Sequence, residues 1–496
     1  MSETAEYEVV VVGGGIAGCF AAATAAAEGA TVVQLDRKSR ERGGYIACGD
    51  AIKSPRDPKK YPGPIDMDVV CNDEAVLVDE GIDQIEWWDE ELGVKKVLPY
   101  SGHSNVVDRY EFGQQLLART ADCGVDQHYD TVVKDVVQNG RVEGVEAIRD
   151  GERVSYRADV VVDAAGAQSL LQDLVAFGSL DAPGGASFEK PHYTQFGSAY
   201  REIIETEEPV EYANAIVGKP MGEMGYLWYF PRTPTVINAG LGFQMSKDPV
   251  PLVERLKRDM QARPEFDGAR VVEKFGKPNK LGSSIALRRP LDSMVAPGYL
   301  AAGGAAATTH PISGKGIRGA AISGYSAGLH AAEAVHAGSS DETELWGHNY
   351  FLYVEHGEGA KLASRDPYNV AASSQGVSVL RAVAALLPQD ELKTIVGTES
   401  KVEGVTGLAQ VGLGAVKNLV ECYRDGTLRH LGVSAGDLYD VFEGVYRTKG
   451  YASQYHDHYD AYPESREDFF AWRDERDRID EAFYDALELD PADRKY

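Results

Sequence analysis

Residues 8–18 read Glu8-Val9-Val10-Val11-Val12-Gly13-Gly14-Gly15-Ile16-Ala17-Gly18, and this stretch decides the fold. Four consecutive valines suit a strand buried on both faces, as in a parallel sheet. Glycines at 13, 15 and 18 spell GxGxxG directly after that strand, and the Ala-rich residues 17–28 predict a helix closed by Gly29. Residues 31–35 supply the next strand, so the segment is one βαβ unit. Asp36 ends it, 23 residues after Gly13 (36 − 13). Gly13 permits the tight turn, Gly15 admits a pyrophosphate to the backbone, and Gly18 lets helix and strand pack closely. The helix start offers free N–H groups and a positive dipole end to phosphate. Asp36 suits a ribose hydroxyl pair and disfavours a 2′-phosphate. Gly13, Gly15, Ala17, Gly18, Asp36 and Arg37 are therefore expected to contact a dinucleotide. A glycine turn without a ligand is the alternative, and strand, helix and acid together weigh against it. The motif by itself does not separate FAD from NAD.

Composition bounds the rest. The chain has 496 residues, long enough for two or three domains, with 77 acidic against 50 basic residues and a formal charge of −27. That charge repels nucleic-acid phosphates and anionic lipid, so no nucleic-acid partner is expected. It also fits a protein kept soluble in high salt, and a haloarchaeal source is the expectation. The five cysteines, at 19, 48, 71, 123 and 422, form no CxxC pattern and fit a reducing cytoplasm. The polar, acidic start is not a signal peptide, and no run of 18 apolar residues occurs. Peripheral contact with the inner face of the cell membrane remains open, through the apolar segments 377–387 and 405–420; core helices are the alternative.

Along the chain, residues 54–64 read as irregular and 111–121 as helix. Residues 131–137 and 142–148 pair as strands about Asn139-Gly140, and 154–163 continues as strand. Residues 191–275 turn to Tyr-, Phe- and Val-rich strands, predicting an inserted antiparallel sheet. An apolar strand at 299–302 precedes a long helix over 316–337, and 341–496 is mostly helical in pattern. The last 30 residues are densely charged and read as a solvated helix. His456-Asp457-His458 lacks companion ligands, so it reads as part of a solvated tail and no metal is expected.

Two segments favour a flavin. Gly303-Gly304-Ala305-Ala306 precedes Pro311-Ile312-Ser313-Gly314-Lys315-Gly316-Ile317 and the long helix. A helix start there would aim its positive end at the flavin edge that gains negative charge on reduction. Gly303, Gly304, Gly314, Gly316 and Ile317 are expected flavin neighbours, as is Val133 on its strand. Arg109, at a strand-to-helix turn, suits an FAD phosphate or ribityl oxygen, with a surface arginine as the alternative.

Over residues 7–335 the chain resembles the geranylgeranyl reductase family, FAD enzymes with a p-hydroxybenzoate hydroxylase-like fold. Four segments carry the resemblance: the fingerprint with Asp36; Ala47-Cys48-Gly49-Asp50-Ala51-Ile52; Val107-Asp108-Arg109-Tyr110-Glu111-Phe112; and Gly225-Tyr226-Leu227-Trp228-Tyr229-Phe230-Pro231, similar to the family's Tyr-x-Trp-x-Phe-Pro motif. The resemblance implies FAD, with Cys48, Gly49 and Ala51 as loop contacts, and saturation of isolated C=C bonds in geranylgeranyl chains of archaeal ether lipid precursors. It implies an α/β FAD domain over 1–75, 104–180 and 280–338, a substrate-binding antiparallel sheet over 76–103 and 181–279, and a helical region over 339–496. Gly303-Gly304 departs from the family's Gly-Asp pair, which would remove one hydrogen bond to the ribityl chain.

Tyr226, Trp228 and Phe230 alternate on a strand and share one face, which would line a prenyl tunnel; sheet core is the alternative. Cys48 is a candidate proton donor or merely a flavin-loop contact, Asp50 a relay acid or a loop cap, and His310 a flavin hydrogen-bond donor or a turn residue. Tyr226 and Trp228 are the aromatic catalytic candidates. Competing readings are a reductase of a quinone side chain, an aromatic hydroxylase, and a prenyl-lipid carrier on the same fold. Ferredoxin, NADPH and a quinol all remain open as electron donor.

Overall fold

The computed structural model describes residues 3–79, 81–90, 94–99, 104–175, 195–221, 224–245, 250–375 and 435–490, with 494 and 496. Val9–Val12 is fully enclosed, between Val160–Asp163 on one side and Val32–Leu35 on the other, both parallel. Tyr299–Ala301 and Asp126–His128 extend this sheet in parallel, and the short Val295–Ala296 turns back along its edge.

The helix Ile16–Ala27 lies across the sheet and is itself crossed by Ile317–Ala337. Small residues make the crossing possible: a Cβ on Gly324 or Gly328 would overlap the carbonyl oxygens of Ala17 and Ala21. The Ala-rich composition of residues 17–27 thus reflects a close helix–helix contact.

Residues 154–163 form two strands rather than one. Glu152–Arg157 joins a separate four-stranded sheet with Glu3–Glu6, Val142–Arg149 and Thr131–Gln138, while Val160–Asp163 enters the parallel sheet. The break at Ala158-Asp159 moves the chain from one sheet to the other, which an unbroken apolar pattern conceals.

The large sheet runs Arg270–Val271, Phe196–Glu205, Val236–Gln244, Gly225–Pro231, Ala215–Pro220, Gln84–Asp89, Val94–Pro99, with Lys280–Ala286 also on Phe196–Glu205. The expected antiparallel order holds except at Ala215–Pro220, which pairs parallel with Gln84–Asp89. One face carries Leu227, Tyr229, Ile237, Ala239, Leu241 and Phe243 in a core that includes Leu256 of the helix Leu252–Gln261. The alternate residues of the same strands are left for the other face.

The expected solvated C-terminal helix is corrected. Arg466–Ala486 buries Phe469, Trp472, Ile479 and Phe483 against the main core, along with Arg473, Arg476 and Asp480. Likewise His458 is not in a solvated tail: it stacks on Trp472 at 4.6 Å. The segments 377–387 and 405–420 lie outside the described residues. Among the described residues, no helix is long and apolar enough to cross a membrane.

Candidate active site

The dinucleotide corner is built by close approach. Gly13 has φ +118°, and a Cβ there would overlap the Ala164 carbonyl; one on Gly18 would overlap the carbonyl of Gly13. Gly15 differs: a Cβ would meet nothing within 4 Å, and no side chain caps the helix it begins. The turn therefore presents uncapped N–H groups to open space, as an anion site requires. Asp36 is buried at the strand end, its carboxylate accepting the N–H of Gly14 at 2.9 Å and of Lys38 at 2.8 Å. Arg37 is exposed, and Val133 is half-buried against the main core. Arg109 opens the helix Arg109–Asp122 behind its cap Asp108 and is only 6% exposed, yet its Nη1 has no partner. Leaving a buried guanidinium nitrogen unsatisfied is costly. Open space over Gly15 and a spare donor on Arg109 fit FAD.

Gly303, at φ +62°, packs on Ala17. A Cβ on Gly304 would lie 2.7 Å from the backbone nitrogen of Ala167, so the turn at 165–167 leaves no room for the acid that the family carries. Gly304→Asp is accordingly expected to lower Tm by several degrees without tightening FAD. Thermal melts and FAD titration check this; a variant that binds FAD more tightly at unchanged Tm would contradict the steric account.

The Cys48–Ala51 stretch meets the large sheet. Tyr226, Trp228 and Phe230 share one face, with neighbouring ring centroids 6.0 and 6.1 Å apart. A Cβ on Gly49 would sit 2.7 Å from the Phe230 ring, so the Cys-Gly pair lies on this face. Asn238, fully buried on the next strand, joins loop to face. Its amide donates to the Cys48 carbonyl and to Asp50 Oδ2, both at 2.7 Å, and its carbonyl accepts the Trp228 indole N–H at 3.0 Å. At the other end the Tyr226 hydroxyl donates to the Ser313 carbonyl at 3.0 Å. The aromatic strand thus touches both the Cys48 loop and the 311–316 loop. Gly314 there has φ +67° and sits beside Ile285, and Gly316 precedes the long helix Ile317–Ala337, whose start no side chain caps. Ala51 begins the strand Ala51–Lys53, paired with Ser104–Val107 ahead of Arg109.

Register sets the rest of the face. Trp87, Gly218, Trp228, Gly240 and Arg201 are successive cross-strand partners. Glycines between the large residues let the Trp87 ring lie over Gly218 and the Trp228 ring over Gly240.

Burial pushes the Cys48 thiol above its ordinary value, opposed by the Arg109 charge, so the sulfur keeps its proton near neutrality. Burial also raises the Asp50 carboxyl, against the pull of Arg232 and Arg201. Asp50 adopts φ +70°, and its Oδ1 is buried without a partner. Burial raises the Tyr226 phenol to about 12, leaving it a neutral donor.

His310 Nδ1 accepts the N–H groups of Ile312 and Ser313, satisfying the turn, while its Nε2 is buried without a partner. Burial holds His310 and His348 at about 3. Both folded values lie below the usual 6.5, so the unfolded chain takes up protons that the native state refuses. Stability is then lost as pH falls from about 6.5 toward 3, by roughly 3 kcal/mol per histidine at pH 4. Denaturation midpoints measured from pH 7 to 4 should fall less steeply for His348→Asn; equal slopes would refute this.

Sequence reasoning missed Asn238, Trp87 and Arg201. Asn238 left a signal, a lone amide within the apolar run Val236–Phe243, and Trp87 stands in a Trp-Trp pair. Among the described residues no cluster of metal-ligating side chains gathers.

Comparison with known proteins agrees with this geometry. Residues 8–174 match the FAD dependent oxidoreductase family, and residues 196–276 the geranylgeranyl reductase catalytic domain. The chain is 27% identical over 369 residues to the digeranylgeranylglycerophospholipid reductase of Sulfolobus acidocaldarius, covering 73% of this chain and 76% of that protein. It is also 27% identical over 349 residues to the enzyme of the same name from Methanosarcina mazei, covering 68% of this chain and 78% of that one. In fold it is similar to a geranylgeranyl bacteriochlorophyll reductase-like protein of Thermoplasma acidophilum, at TM-score 0.63 and 20% identity, over 86% of this chain and 99% of that one. A flavin-dependent brominase superposes at TM-score 0.58 and 16% identity, over 85% of this chain and all of that one. Where the fingerprint domain alone is common to many FAD enzymes, residues 196–276, which hold the aromatic strand, match the geranylgeranyl reductase catalytic domain, and these likenesses together support the geranylgeranyl reductase family of FAD-dependent oxidoreductases.

Proposed function

We propose that this enzyme saturates the isolated C=C bonds of geranylgeranyl chains in archaeal ether lipid precursors. The observation that carries this reading is the meeting of the Cys48-Gly49 loop, whose thiol stays protonated, with the face of Tyr226, Trp228 and Phe230, held through Asn238.

An isolated trisubstituted alkene has no carbonyl to take up charge, so addition of hydride first would leave an unstabilised carbanion. Proton delivery first gives a tertiary cation, and the chain's residues suit that order. Cys48 holds a proton at Sγ, and the Asp50 backbone N–H donates to that sulfur at 3.4 Å, stabilising the thiolate left behind. The faces of Trp228 and Tyr226 offer π density to a passing cation. An aromatic lining keeps water, which would trap the cation as an alcohol, away from it. FAD, when bound in reduced form at Gly13–Gly18, Asp36 and Arg109, supplies the hydride.

The test is product mass. Dithionite-reduced holoprotein given digeranylgeranylglyceryl phosphate without oxygen should yield lipid heavier by two hydrogens per reduced bond. Lipid of unchanged mass would overturn the reading. Ferredoxin, NADPH and a quinol are to be compared as physiological donors in the same assay.

A further inference from the structure

A small cleft opens beside Asp50, at the edge of the aromatic face. Its charged lining is Arg109, Arg201, Arg232, Lys274, Asp50 and Asp108: four cations against two carboxylates. In a chain of formal charge −27 this is a local reversal of sign.

Arg232 is compensated, 2.5 Å from Asp108 and 3.5 Å from Asp50. Lys274 lies 3.4 Å from Glu111 and over the Tyr110 ring. Arg201 is different. It is 4% exposed, and its guanidinium donates only to neutral oxygens: the backbone and side-chain oxygens of Asn279, at 3.2 and 2.5 Å, and the Ile46 carbonyl at 3.5 Å. Among the described residues no carboxylate forms an ion pair with it, and its Nε is buried without a partner. Arg109 Nη1 and Asp50 Oδ1 are likewise buried and unsatisfied, so three orphaned polar atoms line one cleft. A buried guanidinium that feels the Asp50 charge only from beyond ion-pair distance is expensive unless an anion completes it. The donors are already positioned: Asn279 is fixed by the Tyr45 hydroxyl at 2.9 Å, and Arg201 lies over the Tyr45 ring.

Arg201 shares the face of Trp228, two strands away across Gly240, about 10 Å by interstrand spacing. A lipid whose chain runs over the aromatics would therefore place its polar end here. Planar guanidinium forks match phosphate oxygens.

We propose that Arg201, with Arg232 and Lys274 beside it, is a phosphate subsite that holds the head group of the lipid substrate, while Arg109 serves the FAD side of the same cleft. This rests on the prenyl-reductase reading for the identity of the lipid, and binding is measured apart from turnover to separate the two. FAD-loaded protein is titrated at fixed salt with digeranylgeranylglyceryl phosphate and with uncharged digeranylgeranylglycerol in the same detergent, following tryptophan fluorescence. The wild type should prefer the phosphate lipid at least tenfold, inorganic phosphate should compete with it, and Arg201→Gln should bring the preference close to one, with Arg201→Lys in between. Equal affinity for both lipids in the wild type, or a preference retained in Arg201→Gln, would overturn the subsite. Arg201→Gln or Arg201→Lys protein that folds by circular dichroism but purifies without FAD would overturn it too, by assigning the arginine to a phosphate of the cofactor. Phosphate preference without flavin reoxidation by either lipid would uphold the subsite and count against the reductase reading alone.

Discussion

Asn238→Leu is expected to slow turnover of a geranylgeranyl lipid by about two orders of magnitude while FAD remains bound. Asn238 touches none of the expected FAD contacts at Gly13–Gly18, Asp36 or Arg109 and meets the expected FAD loop only at the Cys48 carbonyl, but it bonds that carbonyl, Asp50 and Trp228 together. Leucine is close in size and leaves three buried polar groups unpaired, at about 1–3 kcal/mol each before relaxation. The Cys48 loop then loses its fixed distance from the aromatic face, and a misplacement of about 1 Å near reacting groups costs on the order of 100-fold in rate. The experiment pairs kcat with FAD content and a thermal melt. A folded, FAD-loaded variant with kcat within threefold of wild type would mean that Asn238 does not position the site. Asn238→Asp, which keeps the acceptor for Trp228 but sets a carboxylate against Asp50, should fall between the two and gain activity as pH is lowered.

The second large effect concerns stability, at the junction of the C-terminal helices with the FAD-binding core. Asp480 accepts both arms of Arg289, at 2.7 and 2.8 Å, and also the Tyr455 hydroxyl. Arg476 bonds Asp292 and lies 3.5 Å from Asp480, while Tyr459 donates to Asp292 at 2.5 Å. All six side chains are buried. The charges of Arg476 and Arg289 hold Asp292 below the usual carboxylate range despite its burial, and those of Asp480 and Asp292 hold Arg289 above its own. Asp480→Ala would leave Arg289 with Asp292 alone, 4.0 Å away. Removing one partner of such a buried cluster costs about 3–5 kcal/mol. For a chain of this size that is a fall in Tm of roughly 3–5 °C. Asp480→Asn, which keeps the shape, should lose part of this. A melt of Asp480→Ala within 1 °C of wild type would show that the cluster is not a structural tie.

These two cases also separate what the sequence discloses from what it hides. The fingerprint was legible because its pattern is local: Gly13, Gly15 and Gly18 act within six residues, Gly13 and Gly18 demanded by backbone packed against them and Gly15 leaving open space over the helix start. The shared face of Tyr226, Trp228 and Phe230 was legible for the same reason, since strand alternation is a local rule. Asn238, Trp87 and Arg201 were not. Their roles come from the register between strands distant in sequence: Gln84–Asp89 against Ala215–Pro220, and Phe196–Glu205 against Val236–Gln244. The C-terminal helix misled for another reason. Arg473, Arg476 and Asp480 make it look solvated by composition, whereas partners elsewhere in the chain let them be buried. Phe469, Trp472, Ile479 and Phe483 held the better signal, spaced as one helical stripe. Gly304 was read as a lost cofactor contact; its backbone neighbours show that the position excludes any side chain.

The central claim, that a prenyl chain is reduced on this aromatic face by electrons held at the fingerprint domain, is tested most directly by the visible spectrum of the purified protein without oxygen. Flavin bands should be present, bleach with dithionite, and return when a geranylgeranyl lipid is added, more slowly in Trp228→Ala. Bands that stay bleached with the lipid present would contradict the claim, and a colourless protein that cannot be reconstituted with FAD would remove its foundation.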